Sequence, residues 1–228
     1  MASMAQQLAA QGLAFERVGA VVGRELTLEQ WRALYSPVWF FLLHGRRATP
    51  NELGCTLSHR KAWQIMLERG QEWAVFFEDD ADLSPDFGKQ LDRYNAATKD
   101  FELVQFHSFR IPDVKIAGGQ YGQFEVRKFG GTHASAVGYI LRIKGAQKLL
   151  NDPRVKMNAD KWVWARALLG LKSCAIYPFP VWPHQHLSAM STIGNAQWAS
   201  RSNYFLWRLL VLPVLRLVRI VLLKMRNV

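Results

Sequence analysis

The order of apolar and polar positions shows two helix starts near the beginning of the chain. Thr49-Pro50-Asn51-Glu52 combines an N-cap threonine, proline at the first helical position and glutamate at the third. An apolar-periodic run follows through Leu67 and stops at Gly70. Thr27 and Gln30 form a second capping box before a short helix. Both segments are therefore predicted to be helical.

The rest of the chain is predicted to alternate strands and helices. The continuous apolar run from Trp73 to Phe77 predicts a strand buried on both faces. Further strands are predicted over Ala14–Val18, Glu102–His107, Tyr121–Phe129, His133–Leu141 and Ser173–Tyr177. Further helices are predicted over Met4–Leu13, 84–94, Ile143–Leu150 and Lys161–Leu169. This alternation is typical of an α/β fold.

Composition excludes several classes of protein. The chain has 228 residues, half of them hydrophobic, which is enough for a single large core. Its two cysteines, Cys55 and Cys174, cannot build a disulfide framework, and no Cys/His cluster has zinc-site spacing. Residues 1–11 lack the charged and apolar regions of a signal peptide. We therefore expect an intracellular protein in a reducing compartment.

The net charge of +11 is concentrated at one end of the chain. Residues 1–160 carry a net charge of +2, whereas residues 161–228 carry +9 and contain no carboxylate side chain. Because the body is close to neutral and lacks a nucleic-acid-binding motif, we expect no nucleic-acid partner, although a basic nucleic-acid-binding protein is the competing class. The basic C-terminal stretch needs a separate explanation.

Residues 203–228 combine arginines with Trp, Leu, Val and Ile. At about 100° per residue, Arg208, Arg216, Arg219 and Arg226 fall within a sector of about 80°. The uncharged runs are shorter than the roughly 20 residues that span a bilayer. The pattern predicts a basic amphipathic helix that lies on an anionic membrane surface. The alternative is a helix that packs on the core with solvated arginines.

An acidic run, Glu78-Asp79-Asp80-Ala81-Asp82, directly follows the predicted strand over residues 73–77. In open α/β sheets, ligands bind at the carboxyl ends of strands. Clustered carboxylates repel one another unless a cation neutralises them, and their oxygens suit Mg²⁺ or Mn²⁺. From spacing alone, a solvated acidic loop that caps the next helix is an equal alternative.

Several ordered blocks resemble glycosyltransferase family 25, the lipooligosaccharide glycosyltransferases. The blocks cover Glu52–His59 with Trp63, Val75–Phe87, Gly131–Ala134 with Gly138-Tyr139 and Lys144–Leu150, and Ser191-Thr192-Ile193. The resemblance extends over roughly residues 5–195. It favours a metal site over a solvated acidic loop because several blocks in order are more specific than one short motif.

The resemblance implies a GT-A-like α/β domain over residues 1–200, followed by the membrane-associating tail over residues 201–228. The implied activity is inverting transfer of a hexose, galactose or glucose, from a UDP-sugar to a lipid-linked lipooligosaccharide or other bacterial surface glycan. The implied location is the cytoplasmic face of the inner membrane, as a peripheral protein. In the resemblance, Glu78, Asp79 and Asp80 replace the DxD signature and would hold Mn²⁺ or Mg²⁺ at the donor diphosphate. Asp80 ranks above Asp82 as the metal ligand.

Inversion in a single displacement needs a base for the acceptor hydroxyl. Asp160 stands where the family's later aspartate is expected, and its alternative role is the N-cap of the helix over 161–169. His133 and His59 are the other candidates, although a histidine in a regular element is more often structural.

The resemblance also places donor-binding residues in two of the blocks. Ser58 and His59 lie in the first block. Gly131-Thr132 permits close backbone approach to a phosphate or sugar, or forms only a turn.

The chain departs from the family pattern at its start. Family members begin with a strand of the type V-x-x-I-N-L-x-R, whereas this sequence starts in the following helix. Val22 also stands at the position of an aspartate in the family's A-V-D-G turn. These departures predict a misplaced start codon, a truncation or a degenerate relative. The alternative function is accordingly a non-catalytic protein that binds glycan or membrane.

Overall fold

The computed structural model describes residues 4–130, 135–184 and 207–225. The α-helices are α1 Met4–Ala10, α2 Leu28–Leu34, α3 Pro37–His44, α4 Pro50–Glu68, α5 Phe87–Ala97, α6 Ile143–Leu150, α7 Trp162–Leu169 and α8 Leu212–Met225. The strands are β1 Trp73–Phe77, β2 Ala81–Leu83, β3 Leu103–Gln105, β4 Val114–Tyr121, β5 Phe124–Lys128, β6 Gly138–Arg142, β7 Ser173–Tyr177 and β8 Val181–Pro183. A 3-10 turn covers Gly23–Glu25, and a π-helical turn, Trp207–Val211, precedes α8.

Six strands form a mixed sheet in the order β1-β6-β3-β7-β5-β4, and β2 pairs with β8 in a separate two-stranded sheet. β3 and β7 are parallel, whereas β6 is antiparallel to both β1 and β3. The carboxyl ends of β1, β3 and β7 therefore lie at one edge of the sheet, together with the amino end of β6. The predicted α/β class is confirmed.

Helices cover both faces of this sheet. On one face, Phe87 and Tyr94 of α5 belong to the same buried cluster as β3 and β7. On the other face, Trp63 of α4, Ala146 of α6 and Trp162 of α7 form a second cluster with β6. The result is a three-layer arrangement with α4 and α7 on one side.

The two capping boxes form as predicted. In α4, the Thr49 hydroxyl accepts a bond from the Glu52 N–H, and the Glu52 carboxylate accepts one from the Thr49 N–H. Thr27 and Gln30 make the same reciprocal pair at the start of α2. These boxes satisfy N–H groups that a helix start leaves unpaired, which explains why the sequence signal is local and strong.

The strand over residues 73–77 is confirmed, but its expected burial is only partly correct. Trp73, Val75 and Phe77 pack against one core cluster, while Ala74 and Phe76 pack against the other. Each of the five residues is nevertheless partly exposed. The reason is that β1 is the outermost strand of the sheet, with β6 as its single strand neighbour in the described part of the chain.

Two other strand predictions need correction. Ala14–Val18 forms no strand, and Glu16 in this segment forms an exposed ion pair with Arg69. The strand predicted over Tyr121–Phe129 is instead the turn and second arm of a hairpin, because Gly122 adopts a left-handed conformation between β4 and β5. β4 was not predicted because most of its residues are exposed and lack apolar alternation.

The remaining differences concern element boundaries, the short strands β2 and β8, which were not predicted, and one additional helix. The strand predicted over His133–Leu141 begins at Gly138, and residues 131–134 lie outside the described residues. The helix predicted over Met4–Leu13 ends at Ala10. α3 was not predicted because its apolar residues show no clear periodicity.

The C-terminal helix packs on α7. Trp207 is buried and its indole N–H donates to the Leu42 carbonyl at 3.0 Å. Leu215 and Leu222 pack against a cluster that contains Trp164. In the described part of the chain, no helix is long and apolar enough to cross a membrane.

Candidate active site

Polar residues from three segments gather at one edge of the sheet, after β1, after β3 and before β6. Glu78 directly follows β1, and its N–H donates to the Val137 carbonyl at 3.0 Å, just before β6. His107 follows β3, and its Nδ1 lies 2.9 Å from the Ser135 hydroxyl. The carboxyl ends of the strands thus hold the predicted acidic residues, as expected for a ligand-binding edge in an α/β fold.

The carboxylate of Glu78 contacts α4. Its Oε1 lies 3.3 Å from His59 Nε2, and about 30% of the Glu78 side chain is exposed. The other ring nitrogen of His59, Nδ1, lies 2.8 Å from the Tyr139 hydroxyl. Both ring nitrogens of His59 therefore have a bonding partner.

Asp80 carries a buried carboxyl oxygen without a hydrogen-bond partner. This atom is Oδ1, and it is one of few such oxygens in the described part of the chain. Burial, and then the negative charges of Glu78 and Asp79, raise the pKa of Asp80. The backbone is fixed at this point because the Asp80 carbonyl accepts a bond from the His184 N–H at 2.6 Å. Asp80 is thus held in place, and it forms no ion pair with any of the described residues, although the nearby His184 partly offsets the rise in its pKa.

The other acids of the run are placed differently. Asp79 is exposed. The Asp82 carboxylate lies 2.5 Å from His184 Nδ1 and is already paired. The lower rank of Asp82 agrees with this pairing, and metal binding by Glu78, Asp79 and Asp80 stays a prediction.

Asp160 lies in the loop before α7, and the alternative role as N-cap is wrong. The helix begins at Trp162, its N-cap is Lys161, and no side chain caps it. Burial raises the pKa of Asp160 although Lys161 opposes this, and Glu78 adds to the rise. Like that of Asp80, its Oδ1 is buried and has no hydrogen-bond partner within residues 4–130, 135–184 and 207–225.

The loop that carries Asp160 is tied to α4. The Ala159 N–H donates to the Thr56 hydroxyl at 3.3 Å, and the Asn158 amide donates to the Glu52 carboxylate at 3.2 Å. Burial favours a neutral Glu52, but bonds from Arg46 at 2.5 and 2.7 Å and from Thr49 lower its pKa to about 2. The capping-box glutamate therefore also anchors the loop beside the acidic cluster.

Cys55 of α4 lies close enough to these carboxylates to feel their charges. Burial, and then the charges of Glu78, Asp160, Glu52 and Asp80, raise the pKa of Cys55 to about 12. Cys55, His59 and Glu78 each offer a ligand atom, and these atoms lie within 4.8 Å of one another. A cation would offset the negative charges that raise the pKa of Cys55, as it would for Asp80. Mg²⁺ and Mn²⁺ prefer carboxylate oxygens, whereas thiolate and imidazole suit softer ions, so Asp80 is the better ligand for a hard cation.

Ser58 holds a loop against α4. Its hydroxyl accepts a bond from the Val21 N–H at 2.8 Å and donates to the Gly54 carbonyl at 2.8 Å. A Cβ at Gly54 would lie 2.6 Å from the Val21 carbonyl oxygen, so only glycine allows this approach. Donor binding by Ser58 stays a prediction.

His107 was missed by sequence reasoning. Burial lowers the pKa of His107, against the charge of Glu78, so the ring is neutral at physiological pH. The only available signal was its position at the end of a predicted strand. Three predicted site residues, Gly131, Thr132 and His133, lie outside the described residues.

The structure thus combines an α/β fold with an acidic cluster at the carboxyl end of β1. Residues 1–163 match the family model described as glycosyltransferase family 25, LPS biosynthesis protein. The chain belongs to glycosyltransferase family 25, which confirms the resemblance and makes this protein a member of a family of transferases.

The similar proteins include animal members of this family. Procollagen galactosyltransferase 1-A of Xenopus laevis is 31% identical over 157 residues, which cover 63% of this chain and 24% of the relative. Procollagen galactosyltransferase 2 of Homo sapiens is 28% identical over 172 residues, 68% of this chain and 26% of the relative. A glycosyltransferase 25 family member of Aedes aegypti is 29% identical over 149 residues, 62% and 24% respectively. The chain thus spans about a quarter of each relative's length, and a bacterial source stays a prediction.

Proposed function

We propose that this chain transfers a hexose, with galactose the first choice, from a UDP-sugar to a glycan with inversion. The observation that carries the proposal is Oδ1 of Asp80, which is buried without a hydrogen-bond partner among the described residues and is set among acidic neighbours after β1. Two of the relatives named above are called galactosyltransferases, which supports galactose. A GT-A-like site is the arrangement that unites these features.

The residues fit a divalent cation. A carboxyl whose pKa is raised by burial and by two like charges is stabilised when a cation approaches it. Asp80 would bind the ion through Oδ1, and Glu78 would contact the ion or one of its waters through Oε2. Bound Mn²⁺ or Mg²⁺ would act as a Lewis acid that stabilises the charge on the departing UDP.

Asp160 is the described residue best suited to act as the base. Its raised pKa brings the carboxylate closer to the basicity needed to take a proton at neutral pH. Its Oδ1 has no competing bond in the described part of the chain. Asp160 would accept the proton of the acceptor hydroxyl as the oxygen attacks the sugar, which inverts the anomeric carbon in one displacement.

The test of this activity is UDP release from a panel of UDP-sugars, with Mn²⁺, with Mg²⁺ and with a chelator. We expect metal-dependent release that is fastest with UDP-galactose. Release that is equally fast with the chelator would contradict the metal role. UDP-sugar binding without release would instead favour the non-catalytic alternative.

We further propose that α8 places the enzyme on an anionic membrane, near a lipid-linked acceptor. The side of α8 that faces α7 carries Leu215 and Leu222, and Arg219 is half-buried there. The outward side of α8 and of the turn that precedes it carries exposed apolar side chains. These are Leu209, Leu210, Val214, Leu217, Val218, Ile220, Val221 and Met225. An apolar surface of this extent is typical of an interaction site.

The charges beside this apolar surface favour lipid over a protein partner. Arg208, Arg216 and Lys224 are exposed along the same segment. Cations beside an apolar helical face bind anionic headgroups while the apolar side chains enter the acyl boundary. The sequence prediction is refined in one respect. The exposed side of α8 is largely apolar, whereas Arg219 of the arginine sector is partly buried against α7. We also propose that the membrane is the bacterial inner membrane at its cytoplasmic face, where the basic side chains would meet anionic headgroups.

The double variant Val214→Glu, Leu217→Glu is expected to reduce binding to anionic vesicles at least about tenfold. Each change removes an apolar side chain whose burial contributes roughly 1.5 kcal/mol or more. Cosedimentation with phosphatidylglycerol-containing vesicles measures the effect. Ile111→Glu, at an equally exposed apolar position on another part of the surface, is the control. Binding of the wild type to duplex DNA at physiological salt, but not to vesicles, would contradict the proposal.

A further inference from the structure

A chain of three hydrogen bonds connects the core to Glu78. Trp63 Nε1 lies 2.8 Å from Tyr139 Oη, and Tyr139 Oη lies 2.8 Å from His59 Nδ1. His59 Nε2 then lies 3.3 Å from Glu78 Oε1. The chain thus links α4, β6 and the end of β1.

The indole at the buried end fixes the direction of the first bond, and the hydroxyl proton of Tyr139 fixes the direction of the next. An indole N–H can only donate, so Tyr139 Oη accepts from Trp63. Tyr139 is completely buried, and burial raises its pKa well above the ordinary value, so the hydroxyl keeps its proton. This proton needs an acceptor, because an unpaired buried donor is costly. The acceptor at 2.8 Å is His59 Nδ1.

The consequence is a defined tautomer of His59. Because Nδ1 accepts a bond, a neutral imidazole must carry its proton on Nε2. Nε2 then donates to Glu78 Oε1. The geometry does not allow the opposite tautomer without leaving the Tyr139 hydroxyl proton unpaired.

The aromatic surroundings hold Tyr139 in this position. Its ring stacks on Phe76 with centroids 5.2 Å apart, and it meets Trp162 edge to face, also at 5.2 Å. Trp63 itself is only 3% exposed. The donor end of the chain is therefore part of the packed core, and rigid support of this kind keeps functional side chains oriented.

We propose that His59 is a positioning residue, held in its Nε2–H tautomer by Trp63 and Tyr139, that engages one oxygen of Glu78 and leaves the other for the donor site. The functional part of this inference rests on the proposed role of Glu78 beside the donor diphosphate. An Nε2 that carries a proton can neither bind a metal nor accept the proton of an acceptor hydroxyl. The inference therefore removes His59 from the candidate bases and from a site with Cys55.

Nitrogen NMR of the His59 ring in the full chain tests the tautomer directly. We expect the wild type to show a proton on Nε2 and none on Nδ1. Tyr139→Phe keeps the ring but removes the hydroxyl, so it should show a mixture of tautomers and a shifted carboxyl carbon signal of Glu78. Tyr35→Phe also removes a bonded hydroxyl from a buried tyrosine, but one outside this series of hydrogen bonds, and it should leave both signals unchanged. A proton on Nδ1 in the folded wild type would overturn the inference.

Turnover measurements test what the positioning does. His59→Leu should lower kcat for metal-dependent UDP release about 10- to 100-fold, which is typical for partners of ligand side chains. His59→Gln can still donate an N–H to Glu78 and should recover part of this loss. Full activity of His59→Leu would overturn the positioning role. If the wild type releases no UDP from any donor, the proposed function fails, while the NMR result still decides the tautomer and its contact with Glu78.

Discussion

Asp80→Asn is expected to lower the rate of UDP release at least about 100-fold while the protein stays folded. The change keeps the shape of the side chain but removes the charge that would hold the cation, and electrostatic stabilisation of a leaving group is commonly worth this much. Burial and the charges of Glu78 and Asp79 disfavour the ionised Asp80, so its removal should not lower the melting temperature.

Steady-state UDP release and thermal melting check this prediction together. Asp92→Asn removes a charge of the same sign from an exposed position on α5 and should leave both quantities unchanged. Undiminished turnover of a folded Asp80→Asn variant would reject Asp80 as the metal ligand.

Asp160→Asn is expected to lower kcat about 10²- to 10⁴-fold, with little change in KM for the UDP-sugar. A positioned base contributes an effect of this size, and asparagine cannot accept the proton. Because the donor does not depend on this group for binding, the effect should fall on kcat. A large rise in donor KM with unchanged kcat would assign Asp160 to donor binding instead.

The same variant makes a prediction about stability and pH. The pKa of Asp160 is raised in the folded state, so its contribution to stability is present below its ordinary pKa and is lost as the pH rises through the folded value. Asparagine does not ionise and loses no stability in this way. The free energy of unfolding of the variant, relative to that of the wild type, should therefore increase as the pH rises from acidic to neutral. Chemical denaturation at several pH values measures this difference.

Asp113→Asn is the matched control with the opposite sign. Asp113 accepts a bond from the Gly130 N–H at 2.7 Å, which lowers the pKa of its carboxyl. Its stabilising contribution is therefore present at neutral pH and is lost in acid. The free energy of unfolding of Asp113→Asn, relative to that of the wild type, should therefore decrease as the pH rises. If both variants changed in the same direction, the assigned environment of Asp160 would be wrong.

Local signals in the sequence predicted the helices more accurately than the strands. The capping boxes at Thr27 and Thr49 act over three residues, so α2 and α4 follow directly from the sequence. The outermost position of β1 in the sheet depends on its pairing with β6, about sixty residues later in the chain. No periodicity within 73–77 contains that information.

The candidate site shows the same division. The acidic run after β1 is contiguous, so Asp80 could be selected from the sequence and its resemblance. The bond network of His59 could not, because Tyr139 is 80 residues away. Asp160 was ambiguous in the sequence, since an aspartate before a helix is a good N-cap, and the observed start of α7 at Trp162 removed that alternative.

The tail illustrates a further limit of periodicity. A helical projection groups the arginines of residues 203–228 by angle, but it could not show which face of the helix packs on α7. Residues 203–206 and Arg226 lie outside the described residues. The structure places Arg219 near Arg166, whose pKa is lowered by burial and then by the charge of Arg219, while leucines and valines of the opposite side are exposed. The surface of α7 decides this orientation.

The metal role of Asp80 is tested most directly by Mn²⁺ binding in the presence of UDP, measured by electron paramagnetic resonance in the wild type, Asp80→Asn and Asp92→Asn. We expect UDP-dependent Mn²⁺ binding in the wild type, the same affinity in Asp92→Asn, and at least about tenfold weaker binding in Asp80→Asn. Equal Mn²⁺ affinity in the wild type and in a folded Asp80→Asn variant would contradict this role of Asp80.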